Sequence, residues 1–239
     1  MKTMDDLERK TRAIQEWAGA HADGIWGQRT ANAIIVKANI DVAGRSLGDR
    51  GAFFSAVRKI TGALNQRQVD SINLLLESAG SWPTSWVAYA LATAWHESRL
   101  LPIRERGGWA YLAKYDTGRL ARILGNTPAA DGDGQRYAGR GFVQLTGQTN
   151  YESAGVALGI DLIADPDLAL NPLHAARILI WGMEGGKFTG KKLSDYLPAI
   201  ATRVHFRDAR RIINGTDRAD KIAGYAMAFQ DALREGEWA

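Results

Sequence analysis

From Thr84 to Glu97 (TSWVAYALATAWHE) apolar residues fall on every side of a helical wheel: Trp86, Val87, Tyr89, Ala90, Leu91, Ala92, Ala94 and Trp95. A helix that is apolar all round belongs inside a core, so this stretch predicts the buried axis of the molecule. Helical period also dominates on either side. Phe53, Phe54, Val57 and Ile60 share one face, and Asn65-Gln66-Arg67-Gln68 opens a helix with Val69, Ile72, Leu75 and Leu76 inward before Gly80 stops it. Pro83 stands where the start of a helix favours proline. Further helices are predicted at about 148–158, 172–184, 198–213 and 218–234, with Asn214-Gly215 as a left-handed stop and Asp217 as a cap for the last.

Between Glu97 and Gln148 the period is lost. Gly108, Gly118 and the AADGDGQ run predict loop and short extended pieces. Arg136–Thr146 (RYAGRGFVQLT), with Tyr137, Phe142, Val143 and Leu145 set among glycines, predicts a small twisted hairpin. The fold class is therefore mainly α (α+β), a helical domain with a small β-hairpin, preceded by a small helical N-terminal module.

That module spans 1–40. Asp5 or Asp6 caps a helix carrying Leu7, Ile14 and Trp17, and a second runs from about Gln28 to Lys37 with Ala31, Ile34 and Ile35 inward. Between them, Asp23-Gly24-Ile25-Trp26-Gly27-Gln28-Arg29-Thr30 resembles the DGIFG-type repeat of peptidoglycan-binding domains, over one short motif; a structural turn plugged by Trp26 is the alternative. Residues 41–51 (DVAGRSLGDRG), rich in small and turn-forming types, predict a linker, which leaves 52–239 as the larger domain.

Composition narrows the classes. The 239 residues are 46% hydrophobic, enough for a real core, and contain no cysteine, which excludes disulfides and thiolate metal sites. The N-terminus is charged and amphipathic rather than a basic segment with an apolar run, and no stretch is long enough to span a bilayer, so the expectation is a soluble protein without a Sec-type signal. A net charge of +4 suits a polyanionic partner, nucleic acid or an anionic wall, without choosing between them.

The candidate chemistry lies at the end of the central helix. Glu97 occupies a last turn, where the helix dipole disfavours anions, and burial adds to that; both favour the neutral form that a general acid needs. An ion pair with Arg99, Arg104 or Arg106 is the bland alternative. Glu105 follows eight residues on, beyond the helix-ending Pro102. Two carboxylates at one cleft are the minimum for cleaving a glycosidic bond, at about 5 Å for a retaining enzyme and about 6.5–9.5 Å for an inverting one; the sequence permits either separation. Trp109, Tyr111 and Tyr137 are candidates to stack on sugar rings, though aromatics at such spacings also build cores. Amide and hydroxyl groups on a glycine-rich hairpin can hold sugar hydroxyls or orient water, or simply stabilise the hairpin. His96-Glu97-Ser98-Arg99-Leu100 misses the zinc-protease pattern, Asp131-Gly-Asp133-Gly lacks the spacing of a calcium loop, and no nucleotide-type glycine motif is present, so neither metal nor cofactor is expected.

His96-Glu97-Ser98, Pro102-Ile-Arg-Glu105, Gly139-Arg-Gly-Phe-Val-Gln-Leu-Thr146 with Asn150-Tyr151, and Ile212-Ile-Asn-Gly215 together resemble glycoside hydrolase family nineteen, the chitinase-like branch of the lysozyme superfamily, over about residues 50–236. More narrowly they are similar to bacteriophage endolysins. The resemblance implies a lysozyme-like fold, Glu97 as general acid and Glu105 as general base of an inverting hydrolase. Thr146 is the candidate holder of the attacking water, and His96, Tyr137, Gln144, Asn150 and Asn214 are the substrate-binding candidates. Gly215-Thr216 stands where many relatives carry a second glycine. The function so implied is an endolysin hydrolysing the β-1,4 bonds of peptidoglycan for host lysis. The alternatives are a chitinase acting on β-1,4 GlcNAc polymers and a wall-binding phage protein without catalysis. The expected partner is the peptidoglycan glycan strand, met by a monomer, with no nucleic acid and no membrane insertion. Synthesis in the host cytoplasm and access to the wall through another protein's membrane lesion complete the expectation.

Overall fold

The computed structural model describes residues 4–18, 45–127 and 129–239, and the chain divides into two compact units, Met1–Gly44 and Arg45–Ala239. In the first unit α1 spans Met4–Ala18, with Thr11 and Gln15 buried and Ile14 and Trp17 exposed. The turn at 23–30 and the helix expected at 28–37 lie outside the described residues.

The second unit begins within the stretch read as a linker. Arg45–Asp49 runs beside the C-terminus: Ser46 N–H donates to the Ala239 carbonyl, and Leu47 bridges Trp238. Asp49 then caps α2 (Arg50–Thr61) by accepting from the Ala52 N–H at 2.8 Å. Small residues read as flexible in sequence are fixed here by a chain segment nearly two hundred positions away.

A capping box of Asn65 and Gln68, both bonds 3.0 Å, starts α3 (Gln66–Ser78), which buries Ser71, Ile72, Leu75 and Leu76. The apolar stretch forms α4 (Thr84–Ser98) and is buried on nearly all sides, as its pattern requires. Two of its polar side chains meet backbone acceptors, Trp86 Nε1 donating to the Leu197 carbonyl and the Tyr89 hydroxyl to the Ala209 carbonyl, both at 2.9 Å, while Thr93 Oγ1 and Trp95 Nε1 are buried with no partner among the described residues. Unbonded, each buried donor would cost about 1–3 kcal/mol. The main partner of α4 is the C-terminal helix, Ala219–Glu235, which buries Ile222, Ala223, Ala226, Phe229 and Leu233.

After α4 a two-residue strand, β1 (Ile103–Arg104), pairs antiparallel with β2 (Arg140–Gly141), in register Ile103↔Gly141 and Arg104↔Arg140. The predicted hairpin is a tight reversal, in which Arg140 and Leu145 exchange backbone hydrogen bonds. Its sheet partner is the loop after α4. The region expected as loop instead holds three short helices, α5 (Trp109–Leu112), α6 (Gly118–Leu124) and α7 (Asp133–Arg136). Glycines mask them in sequence, and the tertiary structure stabilises them: buried Asp116 accepts from the N–H groups of Gly132 at 3.1 Å and Gly134 at 2.9 Å, closing the 116–134 loop.

Beyond the hairpin come α8 (Gln148–Leu158), α9 (Pro172–Glu184, capped by Asn171), α10 (Arg203–Ala209) and α11 (Ala219–Glu235). The helix expected at 198–213 is shorter because Pro198 and Ala199 are engaged with the start of α4, so the helix starts only after Thr202. Arg210–Ile212 continues it as one tight turn. A second apolar cluster of Tyr137, Leu145, Tyr151, Ala154, Leu162, Ala169 and Ile178 supports the hairpin. The architecture is mainly helical with one small two-stranded sheet, the lysozyme-like class expected. Among the described residues no helix is long and apolar enough to cross a membrane.

Candidate functional site

Glu97 lies in the last turn of α4, and the helix ends at once because Arg99 and Leu100 both adopt left-handed conformations, φ 55° and 60°. Non-glycine residues rarely occupy that region, and two in succession store strain that the surroundings must hold. Buried Leu100 and the bond from Gln68 Nε2 to the Arg99 carbonyl, 3.0 Å, hold it.

The carboxylate of Glu97 does not sit among apolar groups. Its side chain is 24% exposed, and Oε1 accepts from Arg210 Nη1 at 2.8 Å. The apolar, dry surroundings expected for this side chain are corrected here, and so is the alternative pairing with Arg99, Arg104 or Arg106. Arg210 is 2% exposed and also donates through Nε to the Asp217 carbonyl at 3.0 Å, while its own carbonyl accepts from the Asn214 N–H. One guanidinium thus joins Glu97 to the 213–218 loop. Its only sequence signal is a charge on the buried side of a helical pattern, immediately before Ile212-Ile213-Asn214-Gly215.

Glu105 follows β1 and is held from two sides. The Tyr115 hydroxyl donates to Oε1 at 3.0 Å and the Gly139 N–H to Oε2 at 3.2 Å, while the Glu105 N–H donates to the Gly139 carbonyl at 2.7 Å. A side chain at Gly139 would crowd this approach, since a Cβ there would stand 2.9 Å from Gln144 Oε1 and 3.2 Å from Glu105 Oε2. Lys114 Nζ lies 3.8 Å from Oε1, beside a carboxylate 19% exposed. Neither Tyr115 nor Lys114 was singled out in the sequence, since both sit in the stretch that read as loop.

Among the other candidates, Gln144 has φ 56° and donates through Nε2 to the carbonyls of Ile103, 3.0 Å, and Gly141, 3.1 Å. The Thr146 hydroxyl donates to the Gln144 carbonyl at 2.8 Å, and Asn150 Nδ2 to the Thr146 carbonyl at 2.7 Å. Their donors are spent on the hairpin, while the side-chain carbonyl oxygens of Gln144 and Asn150 accept no hydrogen bond among the described residues. Tyr137 is only 3% exposed and packs against Tyr151, so it offers no face to a sugar; that assignment is corrected. Trp109 is 73% exposed, and Asn214 is exposed on its loop.

Burial holds His96 below the usual histidine range; the Glu97 charge opposes this, and Arg210, Arg218 and Lys221 reinforce it. Burial pushes Tyr115 above the usual tyrosine range, the Glu105 charge adds to it, and Lys114 opposes it. Among the described residues no cluster of three or more His, Asp or Glu could hold a metal ion.

Residues 106–184 match the glycoside hydrolase family 19 model described as Chitinase class I. Chitinase 11 of Oryza sativa subsp. japonica is 52% identical over 120 residues, 42% of this chain and 47% of that protein. Chitinase 8 of the same plant is 66% identical over 46 residues, 19% of this chain and 18% of its own. The chain thus spans less than half the length of these curated relatives. Chitinase C from Streptomyces griseus HUT6037 shares the fold, with TM-score 0.53 at 20% identity over 77% of this chain and 76% of that one. These matches agree with the chitinase-like hydrolase branch expected and correct the narrower reading as a phage endolysin. None of the quoted motifs reads the lactyl ether that sets muramic acid apart, so they could not separate the two.

Proposed function

We propose that the second unit is a chitinase-type glycoside hydrolase cleaving β-1,4-linked GlcNAc polymers, the alternative weighed in the sequence reading; a chitin-type glycan replaces peptidoglycan as partner. The single observation that carries it is the unequal setting of two carboxylates at the ends of one short connection. Glu105 accepts hydrogen bonds on both oxygens, an arrangement suited to a charged base that takes a proton from water. Glu97 is bonded on Oε1 alone and partly exposed to solvent, leaving Oε2 to carry a proton to the leaving oxygen. Arg210 then stabilises the carboxylate that remains, an interaction stronger after proton transfer than before it.

With water activated by Glu105 on the face opposite the acid, the reaction is a single displacement with inversion. Gln144, Asn150 and Asn214 are assigned to the GlcNAc hydroxyl and N-acetyl groups and His96 to the glycan beside the acid, while Thr146 orients the water through the hairpin turn.

Purified protein incubated with chitin hexasaccharide and colloidal chitin tests this by reducing-end release and by the anomer formed. Cleavage giving the α-anomer is expected. Absence of chitin cleavage, or turnover confined to peptidoglycan, overturns it.

A further inference from the structure

Lys114 stands out among the side chains around the hairpin because it is packed on rings rather than left in water. Its Nζ lies 3.5 Å from the centroid of Tyr111 and 4.5 Å from that of Tyr115. Tyr111 in turn leans on Gly107, where any Cβ would collide with the ring. The same ammonium is 3.8 Å from Glu105 Oε1, the oxygen that accepts from the Tyr115 hydroxyl. Burial alone would lower the lysine; its contacts with Tyr111 and Tyr115 outweigh that and hold the ammonium above its usual range.

We infer that Lys114, clamped between Tyr111 and Tyr115, is a positioning residue that fixes the Glu105 carboxylate in its water-activating orientation. The inference rests on the hydrolase reading for its consequence and on geometry for its substance. Two rings restrict a flexible four-carbon stem that would otherwise sample many rotamers, so the charge is delivered to one place. Two other cations nearby are directed elsewhere: Arg104 turns to Asp167 at 3.7 Å and to the Gln135 carbonyl, and Arg140 points beneath the hairpin to Asp167 and Tyr151. Oε2 is held independently by the Gly139 N–H. Without Lys114 the carboxylate keeps its hydrogen bonds from the Gly139 N–H and the Tyr115 hydroxyl, and loses the charge that holds Oε1 and packs the Tyr115 ring. Tyr111, exposed in part but with its ring against Lys114 and Gly107, then serves the base and not the sugar.

The test compares wild type with Lys114→Met, which keeps the stem and removes the charge, and Lys114→Arg, which restores a cation able to stack. On chitin hexasaccharide Lys114→Met is expected to lower kcat about tenfold or more with KM within about twofold, and Lys114→Arg to recover most of it. An unchanged kcat in Lys114→Met, or a loss shared by kcat, KM and thermal midpoint that Arg does not recover, overturns the inference. A second reading needs no substrate. With 13C-labelled tyrosine, the Tyr115 titration should move up in Lys114→Met and down in Glu105→Gln, because the ammonium lowers that phenol and the carboxylate raises it. If the wild type cleaves no chitin, the functional proposal falls by itself. The clamp then stands if Tyr115 moves in those two directions, and falls if it does not.

Discussion

Arg210 Nη1 donates to Glu97 Oε1 at 2.8 Å although the two residues are 113 positions apart in the chain. The cation lies at the C-terminal end of α4, where the helix dipole itself favours positive charge, so it offsets the cost of a carboxylate in that turn. It also carries the 213–218 loop, through the Asp217 carbonyl and the Asn214 N–H.

Arg210→Gln should therefore destabilise the fold and disturb the acid together. Removing one partner of a buried pair costs about 3–5 kcal/mol, and the partial exposure of Glu97 places this pair near about 2–3 kcal/mol. At about 2–4 °C per kcal/mol for a domain of this size, differential scanning calorimetry should record a drop of several degrees. A thermal midpoint equal to wild type would mean the guanidinium is not a structural link.

Glu97→Gln and Glu105→Gln should each reduce kcat on chitin oligosaccharides about a hundredfold or more while circular dichroism stays unchanged. Thr146→Ala separates the two accounts of the base. If Glu105 takes the proton, the threonine variant loses less than the Glu105 variant; the reverse order assigns the water to Thr146 and the hairpin turn.

His96 reports the charge of its neighbour. Burial holds its titration below 6.5 and the Glu97 carboxylate partly opposes this, so Glu97→Gln should move the His96 midpoint lower still, followed by NMR of the ring protons. The sign for stability follows: the unfolded chain takes up this proton first, so the contribution is fully present above about pH 6.5 and is lost as pH falls toward the folded midpoint. A midpoint that rises in Glu97→Gln contradicts the arrangement.

Arg140, nearly excluded from solvent, binds Asp167 at 2.7 Å, the carbonyls of Arg136 and Ala138, and the Tyr151 hydroxyl at 2.9 Å. Burial pushes that phenol up to about 12 against the pull of the guanidinium. Arg140→Met removes all of these donors at once and should cost about 3 kcal/mol in urea denaturation, with hydrogen exchange fastest at 137–146. Tyr151→Phe, which removes the hydroxyl that accepts from Arg140 and donates to the Ala138 carbonyl, should cost about 1–2 kcal/mol.

The sequence by itself determined the buried axis at 84–98, the amphipathic helices around it, the reversal at 136–146 and the two acidic positions. Each of these rests on a period, a cap or a glycine that acts within a few neighbours, and such signals are readable locally. Only the tertiary structure decided which cation meets Glu97, which phenol and lysine meet Glu105, and that Tyr137 faces inward while Trp109 faces water. Those outcomes depend on the packing of segments up to 113 residues apart, and an alternating or helical pattern carries no record of its distant partner. The short helices at 109–136 belong to the same group: their glycines argue for loop, and at the last of them Asp116, from 16 and 18 positions away, accepts from the N–H groups of Gly132 and Gly134 and starts the helix at 133–136.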